Sequence, residues 1–408
     1  MAAMVRAREV APIELVEAHL QQIEERNPAL NAFTIVLAES ARQAARSASA
    51  HSPGLLNGVP VTIKDSFDIA GQPSLVGCRA RVGHRAARDA AAVARLRSHG
   101  AILLGKTNTP EMLVSYETTN SLTGRTNHPD NQDLSPGGSS GGEAAAIAAF
   151  CSPGGLASDG GGSLRLPAHL CGIAGLKPTP GRIPVTGHTP SLGYPGGLVT
   201  VAGPMARTAE DLRLLFRALA GYDPQDPFST PVPLRTPSLD GIRVGVWEQF
   251  YAVPVDPAIR TAVQGAAAKL AKAGFAVDEF VPEGMERAPN AWAALFNPWT
   301  GSAGDMAAQL AARDRLRASL IRQMENVGAI VMPVCNITAF HHGQRKFAVD
   351  GKEIGIFQAM MPLVLANVLG LPSIAVPFAG SSVQFLSRPY EDELLLELAI
   401  RLRELEQD

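Results

Sequence analysis

Charge of either sign is scarce in this sequence: Lys and Arg number 36, Asp and Glu 38, and charged residues together make up 18% of the 408 positions. No block of like charges breaks that balance. Nothing therefore draws the chain to nucleic acid or to an anionic membrane surface, and a small-molecule substrate is the expected partner. Cysteine is sparse too. Cys78, Cys151, Cys171 and Cys335 form no CxxC pair and keep no ligand spacing with histidine, which argues against both a zinc site and a disulfide framework. No metal and no cofactor is expected. Aromatic residues reach only 5%, and no apolar run approaches the roughly 18 residues of a membrane-spanning helix. The opening MAAMVRAREVAPIELVEAHL carries charges where a signal peptide needs an apolar core, so the expected location is the cytoplasm.

What the chain has in quantity is aliphatic surface and glycine. Apolar residues supply 46% of it, ample for a large buried core. A helix is expected from Pro12 to about Glu25, stopped by Asn27-Pro28. In GVPVTIKD the alternation of Val59, Val61 and Ile63 predicts a strand with Lys64 at its C-terminal end. A helix from about Arg88 to His99, then the strand AILLGK, continue the pattern, as do IRVGVW, a helix from about Pro257 to Ala273, AIVMPV, LPSIAVPF and a closing amphipathic helix. Helix alternating with strand predicts an α/β fold, a single domain over 1–408 with a large mixed, twisted sheet covered by helices. The Pro-rich stretch of about 223–237 reads as a connection crossing the surface.

The middle of the chain differs from the rest. Glycines cluster around serines in GGSSGG, residues 137–142, and in SDGGGSLRLP, residues 158–167, with the Ala-rich helix former EAAAIAAF between them. Such glycines let backbone amides approach a ligand without interference. Acyl transfer needs that, because its tetrahedral intermediate carries an oxyanion that several N–H donors must stabilise. Gly138, Ser140 and Gly142 also satisfy the GxSxG spacing of a nucleophile elbow, which would make Ser140 the nucleophile of an α/β-hydrolase esterase. That fold expects a late acid and then a histidine, and the late histidines here are His341 and His342 in a turn. A phosphate-cradling reading of GIAGLKPT fails because the glycine spacing is wrong and Pro178 follows the lysine.

The blocks GGSSGGEAAA, SDGGGSLRLPAHLCGIAGLKPT and AGPMARTAEDL, flanked by LNGVPVTIKD, GAILLGKTNTPEM and LPSIAVPF, resemble the signature region of the amidase signature family, with a core at about 55–210. The resemblance implies an amidase cleaving a C–N bond of an amide, with aryl amides and carbamates (urethanes) among the candidate substrates; an amidotransferase subunit is the other family role. It assigns Ser163 as nucleophile, Ser139 as a bridging serine held by a cis peptide, and Lys64 as the base. It also implies an oxyanion hole from Gly160, Gly161 and Gly162, structural support from Asp159 and Arg165, and substrate binding by Tyr116. Lys64 can accept a proton only as a neutral amine, so burial must lower its pKa. Against the family pattern, residues 297–311 and the join FAGSSVQFLSRP look shortened, which implies either a compact variant with an open, permissive site or loops absent from this chain.

Overall fold

The computed structural model describes residues 1–48, 53–296 and 303–407. Its strands, in chain order, begin with β1 (Phe33–Val36), β2 (Pro60–Lys64), β3 (Ile102–Thr107), β4 (Thr119–Asn120) and β5 (Gly124–Arg125). The glycine-rich middle supplies β6 (Gly154–Asp159), β7 (Ala174–Lys177) and β8 (Val201–Ala206). Then come β9 (Arg243–Val246), β10 (Ala276–Glu279), β11 (Ala329–Pro333), β12 (Lys346–Val349), β13 (Lys352–Gly355), β14 (Ser373–Phe378) and β15 (Ser381–Ser387). Eleven of these form one sheet in the order β1-β3-β2-β6-β8-β7-β14-β15-β11-β9-β10. Parallel pairs (β2 with β3 and β6, β9 with β10 and β11) lie on either side of a central antiparallel run (β6-β8-β7-β14-β15-β11). The sheet is the mixed one expected, and helices flank it.

The two-residue period of a strand decides what each face meets. Val61, Ile63, Leu103, Leu156, Leu176, Ile374 and Phe385 join one core with Leu96, Phe216, Val263 and Leu395 from the helices Ala91–Ser98, Ala209–Leu219, Pro257–Lys272 and Asp392–Gln407. Ala157, Met205 and Ala375 turn the other way, into a second core with Ile147, Leu166 and Leu363. Burial on both faces explains why strands such as β2, β3 and β8 are buried at every residue. By the same alternation Thr62 and Lys64 lie opposite Val61 and Ile63, on the face covered by the helices Gly141–Ala148 and Arg165–Leu170. No helix among the described residues is long and apolar enough to cross a membrane.

The structure refines the sequence reading in three stretches. The first long helix runs Pro12–Leu30, through Pro28. Asn31 ends it in a left-handed conformation, its N–H donating to Asn27 O at 2.7 Å, and Asn27 Oδ1 accepts the amides of Ala32 and Phe33 at 2.8 and 3.1 Å. These bonds complete the last turn beyond the proline. FAGSSVQFLSRP forms a hairpin: Ala379 and Gly380 both take positive φ, 48° and 73°, the geometry of a two-residue turn that sends β14 back as β15. The Pro-rich segment is pinned down, with Thr230 N–H donating to Gly181 O at 3.0 Å and Asp226 accepting from Val185 N–H at 2.9 Å. Of 297–311, residues 297–302 lie outside the described residues, and a helix occupies Ala303–Gln323.

Candidate active site

The end of β2 points Lys64 into the glycine-rich layer, and the residue has no solvent contact. Its Nζ lies 2.8 Å from Ser139 Oγ, 3.1 Å from Ser158 Oγ and 3.3 Å from Ser158 O. It forms no ion pair among the described residues. Burial lowers its pKa from the ordinary lysine range to about 7, against the opposing pull of the Asp159 and Glu143 carboxyls. Ser139 follows a cis Gly138–Ser139 peptide just before the helix Gly141–Ala148. Ser163 stands in the loop between β6 and the helix Arg165–Leu170 and is only partly buried. The two loops are joined directly, since Ser140 N–H donates to Ser163 O at 3.0 Å. Ser163 Oγ has no hydrogen-bond partner among the described residues. Ser140 is fully buried, and its hydroxyl donates to Ser158 O at 3.3 Å; among the described residues no histidine hydrogen-bonds to it.

Asp159 and Arg165, both without solvent contact, fix the Ser163 loop. Arg165 holds the carboxylate through Nε at 3.0 Å and Nη2 at 3.2 Å. Three amides of the turn, those of Gly162, Leu164 and Arg165, donate to the same carboxylate at 2.7, 3.2 and 3.3 Å. A carboxylate here satisfies the orphan donors of a helix start. Burial on its own raises the Asp159 pKa, but Arg165, with Asn367 and Lys177, holds it well below the usual carboxylate range. Asn367 also donates to Asp159 O and Val199 O, and Gln384 accepts from Arg165 at 3.1 Å.

Gly162, one of the three glycines expected to bind an oxyanion, spends its N–H on Asp159. Among the described residues the amides of Gly160, Gly161 and Ser163 donate to no protein acceptor and are the free donors of this turn. The glycines are also required by what packs on them. A Cβ at Gly161 would lie 2.5 Å from the Trp292 ring, and one at Gly162, where φ is +104°, 2.6 Å from Leu363. Trp292 donates to Gly160 O at 2.7 Å and stacks on Phe296 with ring centroids 4.7 Å apart. Tyr116 lies within the electrostatic reach of Asp159 and Arg165, and its buried hydroxyl has no partner among the described residues.

Sequence reasoning thus named residues that the fold brings together, Lys64 with Ser139 and Asp159 with Arg165. It missed Asn367, Gln384 and Glu143. The available signal was a lone polar residue in an apolar element for two of them, Asn367 in MPLVLANV and Glu143 in GGEAAAIA; Gln384, in the serine-containing SSVQFLS, gave none.

The family model Amidase matches residues 14–309 and 299–396. Indoleacetamide hydrolase of Bradyrhizobium diazoefficiens is 32% identical over 446 residues, covering 98% of this chain and 84% of that protein. A glutamyl-tRNA(Gln) amidotransferase subunit of Methylococcus capsulatus is 38% identical over 291 residues, 68% of this chain and 59% of its own length, so the match spans less than two thirds of that relative. Among solved structures, 6-aminohexanoate cyclic dimer hydrolase in complex with substrate superposes with a TM-score of 0.89 at 28% identity, covering 99% of this chain and 96% of that one.

Proposed function

The chain belongs to the amidase signature family, and on that premise we propose that it hydrolyses the C–N bond of a small amide through an acyl-enzyme on Ser163. Neutral Lys64 takes the proton of Ser139 Oγ as Ser139 takes that of Ser163, and Ser163 Oγ attacks the carbonyl carbon. The amides of Gly160, Gly161 and Ser163 receive the oxyanion. When the tetrahedral intermediate collapses the C–N bond breaks, and the proton returns through Ser139 to the leaving amine. Water then attacks the acyl ester, releasing the acid and restoring Ser163. The observation that carries this reading is a lysine with no solvent contact and, among the described residues, no anionic hydrogen-bond partner, 2.8 Å from a serine hydroxyl.

Aryl amides are the favoured substrates. The stacked Trp292 and Phe296 lie against Gly160 and Gly161 of the Ser163 loop, and the relative named for indoleacetamide acts on an aryl-bearing amide. Aryl carbamates present a similar carbonyl and leaving amine and are the next class to assay. The 38% identity to an amidotransferase component favours a second reading, in which turnover needs a partner. Labelling with a fluorophosphonate followed by peptide mass spectrometry tests the nucleophile: the adduct belongs on Ser163, and an adduct on Ser140 would move the chain to an elbow-type mechanism. Hydrolysis of an aryl amide by the purified chain alone supports the hydrolase. Activity that appears only with an added partner supports the amidotransferase role.

A further inference from the structure

Lys64 is surrounded by groups of very different standing. Asp159 of β6 is neutralised by Arg165 and hydrogen-bonded by three amides and Asn367. His188, in the loop that bridges to Phe67, is kept neutral by burial, its pKa down at about 3. Asp65, the next residue, is paired at 3.0 Å with Lys106 of β3. Lys177 of β7 lies beyond Asp159 and donates to Pro178 O. The remaining titratable group is Glu143, in the first turn of the helix Gly141–Ala148 and without solvent contact; burial raises its carboxyl pKa to about 7 against the hydrogen bonds of Thr62 and Thr107 and the pull of Lys64, so it is ionised in part at neutral pH.

Among the described residues no cation pairs with Glu143. Its carboxyl accepts from Thr62 Oγ1 at 2.5 Å and from Thr107 Oγ1 at 2.7 Å. Thr62 is two residues before Lys64 on the same face of β2, and Thr107 is the β3 residue in register with Lys64. Glu143 therefore ties the helix that begins just after Ser139 to both strands beneath the base. The protein has made room for it at Gly155, where a Cβ would sit 2.1 Å from Glu143 Oε1. Alanine in place of this glycine would push the carboxyl out. Glu143 and Lys64 act on each other electrostatically, with no hydrogen bond between them to fix a proton.

We propose that Glu143 is a positioning residue for Lys64: its carboxylate sets both the seat of the base and the pH at which the base becomes neutral. This rests on the reading of Lys64 as the base. A negative charge near an amine favours the ammonium, so replacing the carboxylate by a neutral isostere lets Lys64 lose its proton at lower pH.

The test is the rate of fluorophosphonate labelling at Ser163 against pH, each variant normalised to its own plateau, which needs no knowledge of the substrate. Glu143→Gln should move the acid limb down, by no more than about one pH unit, because burial leaves the Glu143 carboxyl only partly ionised near pH 7. Thr107→Val, which removes one donor to the carboxylate, should move it in the same direction by less, and carries the test if Glu143→Gln does not fold. A limb that stays in place or moves up in a folded variant overturns the proposal, since a merely structural role lowers the plateau without moving the limb. Lys64→Ala separates the two layers of argument: retention of the wild-type limb in that variant would overturn the base assignment itself, whereas its loss, with an unmoved limb in Glu143→Gln, would overturn the role of Glu143 alone.

Discussion

Lys64 closes β2 and Lys106 lies one strand over on β3, and neither has any solvent contact. Around Lys106 the protein has built a full set of partners: Asp65 at 3.0 Å, Pro73 O at 2.6 Å and Ser74 Oγ at 2.7 Å. Burial lowers the Lys106 pKa while the Asp65 carboxylate pulls it back up. Around Lys64 the hydrogen-bond partners are two hydroxyls and a carbonyl, and nothing anionic among the described residues touches it. Burial alone thus makes neither a base nor a brace. A carboxylate within ion-pair distance keeps the ammonium and turns the lysine into a clamp, here on residues 73–76, whose amides at Leu75 and Val76 also bind Asp65. Hydroxyls in its place leave an amine whose lone pair is available near neutral pH.

The comparison breaks most visibly at Lys64. Lys64→Met should cut the rate of Ser163 acylation by about 10² to 10⁴-fold, the usual contribution of a general base. The wild-type rate should fall as pH drops through about 7, because protonation removes the lone pair, and in Lys64→Met that limb should vanish from the residual activity. Stability should move the other way. The folded-state pKa lies below the ordinary lysine value of 10.5, so between pH 10.5 and 7 the unfolded chain binds more protons and folding loses stability as pH falls. Methionine at this position removes that penalty, and thermal unfolding at pH 7 should shift to higher temperature even as labelling collapses.

At Lys106 the pattern should invert. Lys106→Met strands a buried Asp65 carboxylate, whose own pKa burial raises against the pull of Lys106. The expected loss is about 3 to 5 kcal/mol, read as a lower denaturant midpoint. Replacing both partners, Lys106→Met with Asp65→Leu, should recover a large part of it, because no lone charge is left behind. A double variant no more stable than the single one would mean that the pair matters through the loop amides rather than through charge.

The sequence made one side of this contrast legible. Gly-Gly-Ser twice over, a helix former between and a lysine closing a strand identify the elements that meet around Lys64, because those contacts follow from local conformation and from one strand pairing, β2 with β6. The alternation in GVPVTIKD placed Lys64 correctly at a strand end. Residues that support the site from afar were not legible in the same way. Asn367 and Gln384 reach Arg165 across 202 and 219 residues of chain, and nothing local distinguishes them from surface polar residues except, for Asn367, the apolar element it interrupts. The hairpin at Ala379-Gly380 was hidden because alanine seldom adopts positive φ. Helix continuation through Pro28 was hidden because it depends on side-chain bonds from Asn27 rather than on propensity.

The smallest effect is expected where the site meets its substrate. Tyr116 carries a buried hydroxyl with no partner among the described residues, and burial, with the charge of Asp159, raises its pKa, so it stands ready as a neutral donor. An unmet buried hydroxyl costs about 1 to 3 kcal/mol, a cost the protein has reason to bear only if a ligand removes it. Tyr116→Phe should therefore leave folding as stable as before or slightly more so, while raising KM for an aryl amide by about two- to tenfold, the worth of one net hydrogen bond of 0.5 to 1.5 kcal/mol. The fluorophosphonate acid limb should not move, because Lys64 keeps all its partners. An unchanged KM together with higher stability would show that the hydroxyl serves neither substrate nor fold, and would turn attention to Trp292 as the group that orients the amide over the Gly160 and Gly161 donors.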